Sequence, residues 1–229
     1  MPPSTACRVA QGLAKIAMAM RHSAWRDAAP HGLTPTQAQV LITLARRQPG
    51  DPPPTLGSIA QGLAITAATA SDAVSTLESK RLLSKTRHGR RVELSLTEAG
   101  FRRARELMDW PDFLAEPLEE LDHTERASFL RCIVKLIHGL QERGRIPVQR
   151  MCVECQYFAP WVHDDPSRPH HCRFVDAPIG DADLLLDCPD QRPLQGAARS
   201  RIYELFVHGK PAALKRGRLL RLSEEPHHE

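Results

Sequence analysis

The chain has 229 residues, room for one large domain or two small ones, and its 41% apolar and 25% charged content is an ordinary globular balance. A net charge of +4 is too mild to identify a nucleic-acid partner by itself, so the placement of the basic residues matters more than their sum. No apolar run approaches a membrane span, and Met1-Pro2-Pro3-Ser4 lacks the basic start and apolar core of a secretory signal, which predicts a cytoplasmic chain with no membrane partner. In that setting six cysteines point to metal or thiol chemistry rather than disulfides.

Val9, Leu13, Ile16 and Met20 recur at helical spacing and predict an amphipathic helix over residues 5–27, ending before Pro30. Thr34-Pro35 is an N-cap followed by proline at the first helical position, opening a helix through Val40, Leu41 and Leu44. Residues 48–54 read as a loop. Thr55 caps a short helix with Ile59 and Ala60, a turn follows at residues 62–65, and Thr66 opens a third helix to about Lys80. Residues 82–86 and 92–96 read as two strands around a polar tip, Arg87-His88-Gly89-Arg90-Arg91. Helical spacing returns after Thr97, through Phe101, Ala104 and Leu107. A long helix follows Asp122, with Phe129, Ile133, Leu136, Ile137 and Leu140 assigned to one face, ending near Gly144. Cys7 and Cys132 fall inside apolar helical patterns and are expected to be buried and inert, and Trp25, Trp110 and Phe113 read as core.

Helix–turn–helix followed by a two-stranded wing is the winged-helix arrangement. The span from about Leu33 to Leu140 resembles the MarR family of bacterial regulators. The resemblance is carried by Leu33-Thr34-Pro35-Thr36-Gln37, Leu56-Gly57-Ser58-Ile59-Ala60, Thr66 to Ser71, Leu77 to Leu82, and Arg90-Arg91 followed by Leu96-Thr97-Glu98-Ala99-Gly100. Leu63, Ala70, Ala73, Val74 and Leu77 are spaced to face a core. That leaves Ala68, Thr69, Asp72 and Ser75 outward, short enough for a helix to lie close to base edges in a major groove. Lys85, Arg87, His88, Arg90 and Arg91 would bring positive charge to phosphate or the minor groove. Two positions depart from the family pattern: Gly89 stands where an aspartate often precedes the paired arginines, and Asp72 where an arginine is common.

The resemblance further implies a homodimer on a palindromic operator, its terminal helices interleaved through Val9, Leu13, Ile16, Met20, Ile133, Leu136 and Leu140. It also implies a cleft between those helices for a small-molecule effector.

Behind this segment, Cys152-Val153-Glu154-Cys155 is followed by Cys172 and Cys188 at separations of 16 and 15 residues. Four thiolates in that pattern suit zinc, the first candidate, with an iron–sulfur cluster as the alternative, since Cys188-Pro189 fits a last cluster ligand. The stretch from Arg150 to Arg192 has little apolar periodicity, so a metal staple meets a physical need. His163, His170 and His171 compete for the fourth position. Arg150, Arg168, Arg173 and Arg192 are placed to offset thiolate charge, and Tyr157, Phe158 and Trp161 to cover the sulfurs. A helical stripe at Ile202, Leu205 and Phe206 precedes a basic run of Lys210, Lys215, Arg216, Arg218 and Arg221.

The expected fold is mainly α with a small β-wing: a winged helix with flanking dimerisation helices (residues 1–146), a metal-stapled module (147–195), and a helix with a basic tail (196–229). The expected function is transcriptional repression through DNA, without enzymatic activity. An adaptor with a degenerate winged helix, or a redox enzyme using the cysteine centre, are the rival readings. No phosphate loop, catalytic triad or paired acids support the enzyme.

Overall fold

The computed structural model of the chain describes residues 2–47, 51–89, 91–108 and 112–209; Arg90, Trp110 and the basic run from Lys210 onward lie outside them. It forms two compact units, Met1–Glu120 and Leu121–Glu229. This division differs from the expected one at 146. The long helix after Asp122 groups with the cysteine-rich segment, because its Leu130, Val134 and Ile137 pack there.

Each helix of the first unit starts where a side chain satisfies its free amides. In α1 (Thr5–Ala28) the Ser4 hydroxyl accepts from the Cys7 amide. Capping boxes open α2 (Pro35–Ala45) through Thr34 and Gln37, and α3 (Leu56–Gly62) through Thr55 and Ser58. Thr66 caps α4 (Ala67–Ser79), and Thr97 caps α5 (Glu98–Glu106). Between them β1 (Leu83–His88) and β2 (Arg91–Leu96) pair antiparallel, from Leu83 opposite Leu96 to His88 opposite Arg91. The strands thus run further toward the tip than alternation suggested, taking in Arg87, His88 and Arg91. Two residues remain to connect them, and Gly89 has the left-handed backbone (φ 60°) that such a hairpin connection demands. The Leu94 amide donates to the Pro54 carbonyl, which ties the segment before α3 to the wing.

The core of this unit gathers Val40, Leu41, Val74, Leu77, Leu83, Leu94 and Ala104, so the helix–turn–helix and the wing share one apolar centre. The Thr97 hydroxyl donates to the Arg81 carbonyl and accepts from the Gly100 amide, seating α5 against the end of α4. Gly100 is needed at that seat: a methyl group there would lie 1.7 Å from the Leu82 carbonyl oxygen. A short α6 (Ala115–Glu119) ends the unit.

The second unit begins with α7 (His123–Glu142), capped by Asp122 and Glu125. A three-stranded antiparallel sheet, β3 (Phe158–Ala159), β4 (His170–Cys172) and β5 (Ala177–Ile179), and then α8 (Gly196–His208) complete it. Its core of Val134, Met151, Val153, Phe158, Leu184 and Phe206 draws in Leu130 and Ile137 from α7. The expected single stripe of α7 is therefore two faces. Leu130, Val134, Ile137, His138 and Gln141 turn inward, while Phe129, Cys132, Leu136 and Leu140 are exposed.

On α1, Val9 and Ile16 are exposed and Leu13 and Met20 half-buried. None of the seven residues expected at a dimer interface belongs to either core. Cys7 and Cys132 are exposed, not buried, because each sits on the face of its helix that the chain leaves uncovered. Trp25 is likewise exposed rather than core, and Phe113 is half-buried. Among the described residues no helix is long and apolar enough to cross a membrane.

Gly100→Ala should cost about 1–3 kcal/mol, the range for overpacking a close contact. A lowered urea midpoint at unchanged slope would show it, whereas Gly62→Ala, with open space around the position, should be neutral or stabilising.

Candidate functional site

Ala68, Thr69, Asp72 and Ser75 all lie exposed on α4, opposite the buried Ala70, Ala73, Val74 and Leu77. Thr66, not Asp72, caps this helix, and its hydroxyl also bonds that of Thr69 at 2.8 Å. Asp72 carries no capping duty, so its carboxylate is presented to whatever the face meets. An acid on such a face is repelled by phosphate and can accept from a cytosine amine.

The wing residues differ in freedom. Lys85 is held by Glu78 at 2.7 Å and reaches toward Ser75 at 3.5 Å, so it braces the wing against α4. Arg87 donates to the Gly89 carbonyl at 3.1 Å, and Arg91 to the Pro53 carbonyl at 2.9 Å with Glu93 at 3.7 Å. His88 lies 3.8 Å from the same glutamate. All five expected contacts except Arg90, which lies outside the described residues, are thus on one hairpin. Arg87 and Arg91 keep most of their guanidinium donors for solvent or a ligand.

In the second unit the four cysteines come together. The segment after Leu184 returns antiparallel to the one entering the Cys152–Cys155 pair. The Cys152 amide donates to the Leu185 carbonyl, the Cys188 amide to Arg150, the Gln156 amide to Arg192 and the Leu194 amide to Glu154. Cys172 reaches the same place from β4, where it pairs with Phe158. All four line one cavity of about 170 Å³, walled by Tyr157, Phe158, Phe174, Val175, Ile179 and Leu185. Among the described residues, no three His, Cys, Asp or Glu side chains converge tightly enough to hold a single metal ion.

The thiols feel one another. Burial, and then the Cys188, Cys172 and Cys155 sulfurs, push the Cys152 thiol up to about 11, against the Leu185 amide that donates to its sulfur at 3.3 Å. Cys188 is raised for the same kinds of reason, opposed by the Asp190 amide. Four thiolates here therefore need a cationic group to offset them.

The expected arginine compensation does not hold, since no arginine lines the cavity, while Asp183 and Asp190 do. Arg150 instead pairs with Asp187 at 2.8 Å. Tyr157 and Phe158 do cover the sulfurs. Trp161 does not: its indole donates to the Phe206 carbonyl.

The histidines have other work. His170 is fully buried, with one ring nitrogen accepting from the Trp161 amide and the other 3.1 Å from Asp181. His171 lies between His163 and Asp176, at 3.2 Å from each. None of the three lines the cavity.

Sequence reasoning missed Glu154. It sits between the paired cysteines, is 1% exposed, and its Oε1 receives His138 and Gln141 of α7 at 2.8 Å and Arg199 of α8 at 2.7 Å. His138 in turn stacks on Tyr203, ring centroids 3.4 Å apart. The only hint was an acid inside a tight cysteine pair, with nothing to name its partners.

Removing Glu154 should be costly, since a buried group stripped of its charged partner typically loses about 3–5 kcal/mol. Glu154→Ala should expose α7 and α8 amides to hydrogen exchange while those of α2 and α4 stay protected. Asp181 gives a pH test. Burial works against its charge, yet His170 and Arg131 together hold its carboxyl below the usual carboxylate range. A depressed folded value contributes stability that is present near neutrality and lost as pH falls through it. Asp181→Asn should therefore lower the unfolding midpoint at pH 7, and the gap to the parent should close below about pH 4.

Comparison with known proteins bears on residues 31–91 and on the fold around them. Residues 31–91 match the MarR family model. A MarR family protein of Bacillus stearothermophilus is 24% identical with a TM-score of 0.53, covering 62% of this chain and 99% of its own. A Listeria monocytogenes protein assigned to the same family and solved with a 26mer DNA is 18% identical at 0.52, covering 62% and 92%. The Staphylococcus aureus MepR–DNA complex is 24% identical at 0.50, covering 56% and 95%. No match was found among curated proteins. At these identities the likeness establishes the fold: residues 31–91 match the MarR family, a family of transcription regulators rather than enzymes, within a winged-helix unit.

Proposed function

We propose that this chain is a sequence-specific DNA-binding transcriptional regulator, acting as a homodimeric repressor on a palindromic operator. The observation that carries the reading is the exposed face of α4, Ala68, Thr69, Asp72 and Ser75, set beside a hairpin bearing Lys85, Arg87 and Arg91. Small side chains let the helix approach base edges, and the arginines supply sequence-independent attraction to the backbone. That two structurally similar proteins were solved with DNA supports the same use of this fold.

The uncovered stripes support the dimer. Val9 is 51% exposed on α1, and Phe129, Leu136 and Leu140 are 41–45% exposed on α7. Apolar stripes of that kind are stable in water when a second copy covers them. A small-molecule effector would bind in the cleft that such pairing completes. The second unit adds a metal group held on Cys152, Cys155, Cys172 and Cys188, which would tie the returning segment to the cysteine pair.

Binding to a pool of random-sequence duplexes, followed by titration of the selected sequence against salt, tests the central claim. Affinity should fall steeply with salt, and Arg90→Ala with Arg91→Ala should weaken all sequences and flatten the slope by about one for each phosphate no longer neutralised. Asp72→Ala should instead change the selected bases. No enrichment, or salt-independent binding, would leave the chain an adaptor. For the dimer, Ile16→Asp and Leu136→Asp should yield monomers by light scattering, because a charge buried without a partner is costly; folded dimers of both variants would place the interface elsewhere.

A further inference from the structure

The cysteine cavity has a size as well as a ligand set, and the size discriminates between occupants. A lone zinc ion closed by four thiolates draws each sulfur to about 2.3 Å from one point and leaves no room between them. Here the four cysteines line one cavity of about 170 Å³, shared with apolar side chains and with Asp183 and Asp190. That volume is on the order of ten times the space one water-sized particle needs.

The surroundings fit a polynuclear group. The wall is largely aromatic and aliphatic, with Phe158 buried on it and Phe174, Val175 and Leu185 reaching solvent. The Leu185 amide points at the Cys152 sulfur at 3.3 Å, the kind of N–H···S contact that tunes a cluster. Cys188 is followed by Pro189, which cannot present an amide of its own there.

We propose that this cavity holds a cysteine-ligated iron–sulfur cluster, with Cys152, Cys155, Cys172 and Cys188 as its four ligands. The inference rests on the reading that these thiolates hold a metal group, and it names that group. The ligands come from three separate places in the second unit: the Cys152–Cys155 turn, strand β4 and the returning segment at Cys188. Occupancy would therefore fasten all three, which sets this site apart from a metal bound along one loop.

The test is elemental and spectroscopic, on the full chain purified without oxygen. Iron and acid-labile sulfide in equal amounts, with a broad visible absorption bleached by dithionite, are the expected result. A chain without iron should regain both the absorption and the sulfide when ferrous iron and sulfide are added under reducing conditions. Cys152→Ser, Cys155→Ser, Cys172→Ser and Cys188→Ser should each lose most of the iron, while Cys7→Ser and Cys132→Ser keep it. Because a ligand variant can fail by unfolding, the parent chain's own iron and sulfide content decides the matter, with circular dichroism reporting the fold of each variant. One zinc per chain, colourless and refractory to iron and sulfide, would overturn the cluster while the metal reading stands. No bound metal before or after reconstitution would overturn both.

Discussion

The second unit depends on one buried carboxylate. Glu154 lies inside the turn between two cysteines, and three side chains from two helices converge on a single oxygen of it. Burying a charge without partners is prohibitive, so the turn folds only where α7 brings His138 and Gln141 and α8 brings Arg199. The carboxylate thereby fixes the register of α7 and α8 against the cysteine turn. Gln141 extends the arrangement, its amide oxygen accepting from the Gln149 amide as the chain turns back from α7 toward Met151. Apolar burial around Val134, Met151 and Phe206 supplies attraction without direction, and the polar cluster supplies direction.

The first unit solves a different problem, how to leave one face of a helix exposed while keeping the unit compact. Its buried residues are mostly small or branched: Ala70, Ala73, Val74 and Leu77 pack α4 inward from one side only. The opposite side needs no packing partner, so short polar residues can occupy it without loss of core. Lys85, bound to Glu78, couples the hairpin to that same helix. Lys85 thereby braces β1 against the helix whose outer face is exposed.

The helices of the first unit were legible because their starts are written locally. Thr34, Thr55, Thr66 and Thr97 each bond an amide three residues on, and the cap residue and its target are both visible in the sequence. The wing was legible in kind but not in extent, since polar, charged residues such as Arg87 and His88 do not announce a strand when both of their faces are in water. The two faces of α7 were not legible. Ile137 and Leu136 are adjacent and equally apolar, yet one packs inward and the other stays exposed. Only the position of Met151 and Phe206, remote in sequence, decides which. The cysteines were legible as a set because thiol chemistry needs only their identity. What encloses them was legible only in part: Tyr157 and Phe158 stand beside the pair in sequence, whereas Phe174, Val175, Ile179 and Leu185 are brought in by the β4–β5 turn, β5 and the returning segment.

If a second copy docks on its outer face, α7 joins assembly to the cysteine centre. Its inner face meets the turn between Cys152 and Cys155 through Glu154, and its outer face carries Leu136 and Leu140. Any group at free concentration c that binds the folded cysteine cavity and not the unfolded chain stabilises the fold by RT ln(1 + c/Kd), and here the stabilised state is the one with α7 in register. If the outer face is where a second copy docks, a group on the thiolates and a second copy on the helix favour the same conformation. Each then raises the affinity of the other by the same factor, as linkage requires. If the winged helix acts on DNA as the proposed pair, one buried glutamate gives a route by which cysteine chemistry bears on operator occupancy.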